Sequence, residues 1–132
     1  MAGGKFVRAG RGFRDDEAGS ATVEFVLWLP IFVAILGLMV DATLMLHMQA
    51  RLWDIARSAT RQVALAAMDE TAAETFAAEE IGDAYQKSVN ITKSGGFVRM
   101  VASVQAEDVE LFGFLPWTDT IGADYVMADE NP

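Results

Sequence analysis

The chain has 132 residues, no cysteine, one histidine and a formal net charge of −9, from 10 Lys and Arg against 19 Asp and Glu. That length holds one small domain plus an extra segment and excludes a two-domain enzyme with an interdomain cleft. The acidity excludes a nucleic-acid grip, which needs clustered Lys and Arg, and the missing thiols exclude disulfide scaffolds, thiolate zinc sites and cysteine nucleophiles.

Neither charge nor hydropathy is spread evenly. Mean hydropathy is +0.23 although 22% of the residues are charged, so the apolar residues must be concentrated somewhere. Residues 1–19 carry four basic and three acidic groups, residues 20–61 three of each, and residues 62–132 three basic and thirteen acidic. A weakly basic head, a neutral apolar middle and an acidic tail make the layout of a membrane-anchored protein.

In chain order, the head ends in Asp15-Asp16-Glu17 directly before the apolar run. It is longer and more acidic than the n-region of a conventional signal peptide, and no small-residue cleavage site followed by a polar break comes after the run. Phe25–Val40 is sixteen residues without a charge, roughly 24 Å of helix; extension to Leu46 gives about 33 Å, enough for a hydrocarbon core of about 30 Å. The extension takes in one carboxylate, Asp41. Pro30 lacks an N–H and is expected to disturb the first turns. A buried core helix is the competing reading, but no second segment is apolar enough to surround it. Lys5, Arg8, Arg11 and Arg14 precede the span and Arg51, Arg57 and Arg61 follow it, a small bias towards a cytoplasmic N-terminus.

The junction carries the chemistry. Glu24 stands at the mouth of the apolar run, where a carboxylate is costly unless neutralised. Gly19 lies five residues before it. A cut between Gly19 and Ser20 would create an α-ammonium group four residues from Glu24, on the same helix face and able to meet the carboxylate of a neighbouring subunit. Without a cut, Glu24 is an interfacial carboxylate favoured by the helix dipole, with Ser20 or Thr22 as N-cap.

Gly19-Ser-Ala-Thr-Val-Glu24-Phe25 resembles the leader junction of type IVb prepilins and pseudopilins, and within them the TadE-like proteins of the tight-adherence (Tad/Flp) pilus system. The acidic residues before the glycine, Leu29-Pro30, Asp41 and Arg57-Ser-Ala-Thr-Arg61 extend the resemblance over residues 13 to about 63. Phe25 departs from the tyrosine more usual in Flp pilins, and the chain is long for a major Flp pilin; both favour a minor pilin or pseudopilin. The resemblance implies a leader, Met1–Gly19, removed by a prepilin peptidase, with Gly19, Ser20, Glu24 and Phe25 serving processing and assembly. It implies other pilin or pseudopilin subunits and an inner-membrane pilus platform as partners. The location implied is the bacterial inner membrane, crossed once, with the C-terminal part periplasmic and association with the pilus open. The alternative is an uncleaved single-span anchor presenting an acidic periplasmic binding domain.

Asp41 either pairs with a basic group on a partner subunit or platform protein, or reaches periplasmic water; Gly37, one turn earlier, would let another helix approach. His47 has no activating neighbour and reads as interfacial. Beyond it, Leu52, Ile55, Ala56, Ala59, Val63 and Ala66 recur at helical spacing. One helix from about Ala21 to Ala67 is predicted, with Asp54 between Arg51 and Arg57 as an ion-pair ladder. Asp69–Tyr85 reads as a second helix, weakened or ended at Gly82. Ser88–Thr92 and Phe97–Val104, around Gly95-Gly96, read as a β-hairpin. Phe112, Phe114, Leu115 and Trp117 are expected to fill its core, and residues 118–132 mix strand and turn signals. The clusters Glu79-Glu80-Asp83 and Glu107-Asp108-Glu110 lack metal-ligand spacing. No catalytic, cofactor or metal site emerges. The reading is a membrane-anchored α+β, pilin-like chain. It divides into a leader (1–19), a transmembrane helix (20–47), its amphipathic extension (48–68) and a small acidic periplasmic α+β domain (69–132).

Overall fold

A computed structural model describes residues 13–115 and 118–131; the first twelve residues of the expected leader, and Trp117, lie outside them. Helix α1 is Phe13–Ala64, 52 residues with Pro30 inside it. It starts earlier than the sequence predicts, so neither Ser20 nor Thr22 is its N-cap. Its first part presents apolar side chains outward: Val23, Phe25, Leu27, Trp28, Phe32 and Leu36 are all exposed. Of the most apolar window in this helix, 6% is buried, which disposes of the buried-core-helix reading and leaves a helix long and apolar enough to cross a membrane.

The chain divides into two compact units between Leu36 and Gly37. In the second, α1 changes character. Gly37, Asp41, Met45, Met48, Leu52, Ile55, Ala56, Ala59 and Val63 form a buried stripe, the three- and four-residue spacing of one helix face. The helix ends with Ala66 at φ 55°. The N–H of Ala67 donates to the Gln62 carbonyl (2.9 Å) and that of Ala66 to Val63 (3.0 Å), the paired bonds of a Schellman turn with alanine where glycine is usual.

Helix α2, Glu70–Ile81, is capped by Asp69, whose carboxylate accepts from the Ala72 N–H at 2.6 Å, and ends at Gly82. Three antiparallel strands follow in the order β1 (Lys87–Ser94), β2 (Phe97–Gln105) and β3 (Thr120–Ala128). Ser94 pairs with Phe97, leaving Gly95 and Gly96 as a two-residue turn with φ 60° and 79°. Positive φ at both positions is the twist-matched hairpin turn that glycine makes at no steric cost. Along β2 burial alternates: Val98, Met100, Ala102 and Val104 face inward onto the α1 stripe, Ile81, Ile91 and Ile121. Helix α2 covers β1 and caps its outer edge, the Glu74 carboxylate accepting from the Ile91 N–H (2.8 Å).

Two packing expectations change. Among the described residues Asp54 makes no ion pair with Arg51 or Arg57. Arg51 instead donates to the Glu80 carbonyl, one of the acceptors that the end of α2 leaves without an intrahelical partner. Phe112 and Phe114 do not fill the sheet's core; both remain exposed, and among the described members of that group Leu115 packs against it.

Candidate functional site

Two places on α1 carry carboxylates that an apolar helix does not need for its own stability. The first is the junction. Gly19 and Ser20 lie inside α1, and Gly19, Ser20, Glu24 and Phe25 are all exposed. An added Cβ at Gly19 would meet nothing within 4 Å. Glycine there is not required by packing and costs about 0.5–1 kcal/mol relative to alanine in a helix. Among the described residues, no ion pair joins Glu24 to a basic side chain of its own chain.

The second is Asp41, and the structure gives it partners seventy residues further along. After β2 the chain makes a 3-10 turn at Ala106–Asp108, with the N–H groups of Val109 (2.9 Å) and Glu110 (3.0 Å) donating to the Ala106 carbonyl. It then leaves the sheet and rejoins it where the Ala106 N–H donates to the Asp119 carbonyl at 3.0 Å, which makes the excursion an Ω-loop with its ends tied together. At its tip the N–H groups of Leu111 (2.8 Å) and Phe112 (3.0 Å) donate to Asp41 Oδ1, and that of Phe114 (3.0 Å) to Oδ2. Gly113, at φ 70°, provides the reversal between them. Convergent backbone N–H groups of this kind form a concave anion seat, and Asp41 occupies it with no exposed surface.

Gly37 serves the same contact. A Cβ added there would overlap the Phe114 ring, so the close approach that its lack of a side chain permits is taken up by a loop of the same chain. Phe112 and Phe114 stack with centroids 5.8 Å apart. The sequence left Asp41 between a partner subunit and water; in the structure its carboxylate is enclosed by its own loop. The available signal was Leu111-Phe-Gly-Phe-Leu115, an uncharged aromatic run with a central glycine in an otherwise acidic tail.

Other polar groups are structural. The Asp108 carboxylate accepts from the Gln86 N–H (2.6 Å), and Asp83 pairs with Lys87 (3.2 Å). Arg99 forks onto Asp124, and that contact holds the Asp124 carboxyl below the usual carboxylate range. Lys93 meets Asp129 at 2.7 Å and lowers its carboxyl likewise. Among the described residues no three His, Asp or Glu side chains converge as metal ligands. His47 is exposed.

A family profile described as TadE-like protein matches residues 19–75. Over these residues, rather less than half of its length, the chain is similar to the TadE-like family. The match begins on Gly19 and runs through the anchoring helix and the Schellman turn into α2. The TadE-like segment therefore contains Gly19, Glu24 and Asp41 but not the loop that seats Asp41. No curated protein and no solved structure matches the chain.

Proposed function

We propose that this protein is a minor pilin or pseudopilin that takes part in assembling a tight-adherence (Flp-type) pilus. The chain is held in the bacterial inner membrane with its acidic α+β domain in the periplasm. The leader, residues 1–19, is removed by a prepilin peptidase between Gly19 and Ser20. The new Ser20 amine and Glu24 then set the register between neighbouring subunits and the inner-membrane platform. The observation that carries this reading is the junction: a glycine without a packing role stands five residues before an exposed carboxylate, at the mouth of an outward-facing apolar helix. Such a helix can be stored in lipid and then packed sideways against its like. A carboxylate without a counter-charge among the described residues suits pairing with the amine of another chain. The TadE-like segment, beginning on that glycine, supports it.

One feature favours the rival, an uncleaved anchor. Gly19 and Ser20 are helical, and a peptidase must unwind that turn to reach the bond, although glycine lowers the cost. Mass spectrometry of the N-terminus in cells with an active prepilin peptidase separates the two. The pilin reading expects a mature chain starting at Ser20, precursor accumulating with Gly19→Leu, and normal cleavage with failed piliation for Glu24→Val. Retention of Met1–Gly19 in the unaltered protein overturns it, and full piliation of the Glu24→Val strain overturns the charge-pairing role.

A further inference from the structure

The tip of the Ω-loop is apolar and outward-facing. Leu111 is 67% exposed, Phe112 53% and Phe114 38%, and residues 111–118 contain no charge although the tail around them is strongly acidic. Three hydrogen bonds fix this tip to Asp41. The α1 turns beside Asp41 point Leu38, Met39, Val40, Leu44 and Leu46 outward as well. The loop thus continues an apolar surface that α1 already presents at the same level. A hydrocarbon core of about 30 Å takes about twenty helical residues; counted from Phe25, these end near Leu44, so Asp41 and its loop fall within the last turns of the span. A solvated loop at that height would be expected to carry polar side chains. This one carries leucine and phenylalanine outward and turns the N–H groups of Leu111, Phe112 and Phe114 inward, where the Asp41 carboxylate satisfies them and lowers the cost of meeting lipid.

We infer that the Leu111–Leu115 loop is a membrane-contacting element. Resting on the reading of α1 as a membrane span, it seats the folded domain against the acyl–headgroup boundary of the periplasmic leaflet. The Asp41 carboxylate is screened from lipid by the N–H groups of that loop. Lipid is favoured over a second protein surface because the loop tip is tied to α1 at Asp41, where Leu38, Met39, Val40, Leu44 and Leu46 are also exposed, while the Glu110 carboxylate at the tip's edge suits the headgroup side of the boundary.

The chain has no cysteine, so single-cysteine variants of the full protein can be spin-labelled without altering anything else. The probe is the full chain in vesicles of phosphatidylcholine and phosphatidylglycerol, labelled at Leu111→Cys or Phe112→Cys, with Thr92→Cys on the hairpin and Phe32→Cys in the span as references. Collisions with oxygen, which enriches in lipid, are compared with those of a water-soluble nickel complex. The loop labels are expected to keep oxygen collisions and lose nickel collisions, as Phe32→Cys does, while the Thr92→Cys label does the reverse. Loop labels that collide with nickel put the loop in water and overturn the inference. Loop labels shielded from both probes put another protein surface over it and also overturn it. A Phe32→Cys label open to nickel removes the span itself, a failure distinguishable from the other two. Leu111 is so exposed that its replacement leaves the fold intact, and far-UV circular dichroism verifies this for each variant.

Discussion

A carboxylate inside an apolar span has to be neutralised, solvated or given donors, and Asp41 takes the third course through Leu111, Phe112 and Phe114. Hydrogen bonds to a charged acceptor are stronger than neutral ones, and donors left unmade when it is removed are costly. Asp41→Ala is therefore expected to release the loop without unfolding the sheet. Amide exchange at Leu111, Phe112 and Phe114 should accelerate at least about tenfold, while the β2 amides stay protected; unchanged protection at the three loop amides would deny the latch. Thr60 is the opposite case, fully buried with its hydroxyl unpartnered. Thr60→Val keeps the branched shape and removes an unsatisfied polar group, so a gain of about 1 kcal/mol is expected in denaturant unfolding of the detergent-solubilised chain.

Among elements, α1 does two jobs in series, and the point where it changes is written in the spacing of its residues. From Phe25 to Leu36 the helix is apolar on all sides. From Gly37 onward one face is buried, the stripe through Met45, Met48, Leu52, Ala56, Ala59 and Val63 with Ile55, Thr60 and Ala64 beside it. Its last turn carries a local cost, since Ala66 holds a left-handed φ of 55° that an L side chain resists by about 1–2 kcal/mol. Ala66→Gly should stabilise the chain by about 0.5–1 kcal/mol after the entropy of glycine is counted, read as a higher midpoint in the same unfolding measurement. The helix, the Gly95-Gly96 hairpin and the end of α2 at Gly82 were legible because each rests on a local signal: periodicity, a turn dipeptide, a helix breaker. The early start of α1 was hidden because residues 13–20 lack the apolar periodicity that marks the rest of the helix. The third strand was blurred because Gly122 and Asp124 interrupt its apolar alternation, and pairing with β2 overrides that local weakness. The partners of Asp41 left only an indirect trace, the uncharged aromatic run around Gly113. They are backbone groups, which no side-chain pattern encodes, and they lie across an Ω-loop whose course depends on the finished sheet.

At the scale of the whole molecule, the net charge of −9 is a poor description of any one surface, since nearly all the acidity follows the span. Within the folded domain, two carboxylates are used to tie the C-terminal strand. Asp124 meets Arg99, and Asp129 meets Lys93 beside the hairpin turn, where its N–H also donates to the Gly96 carbonyl (2.8 Å). Both carboxyls are held below their ordinary values. A depressed folded-state value contributes stability that is complete above the unfolded value of about 3.9 and is lost as pH falls through the lower, folded one. Stability should therefore drop on moving from pH 5 towards pH 2. The drop should be smaller in an Asp124→Asn, Asp129→Asn double variant, followed by thermal unfolding across that range; an identical acid slope in the two proteins would show that these pairs do not contribute.

The buried stripe on α1 also decides what can be separated from what. Because Gly37 and Asp41 belong to both the apolar run and the interior of the second unit, the last turns of the run cannot be removed without opening that interior. A shortened chain beginning after His47 is free of its greasiest residues but leaves the Ω-loop's amides without their acceptor. One beginning at Gly37 keeps the loop seated, and with it Leu38, Met39, Val40, Leu44 and Leu46 facing outward. Water solubility and a complete fold are thus competing properties of this sequence, so a fully folded form shed from the membrane would still carry an apolar surface in need of cover.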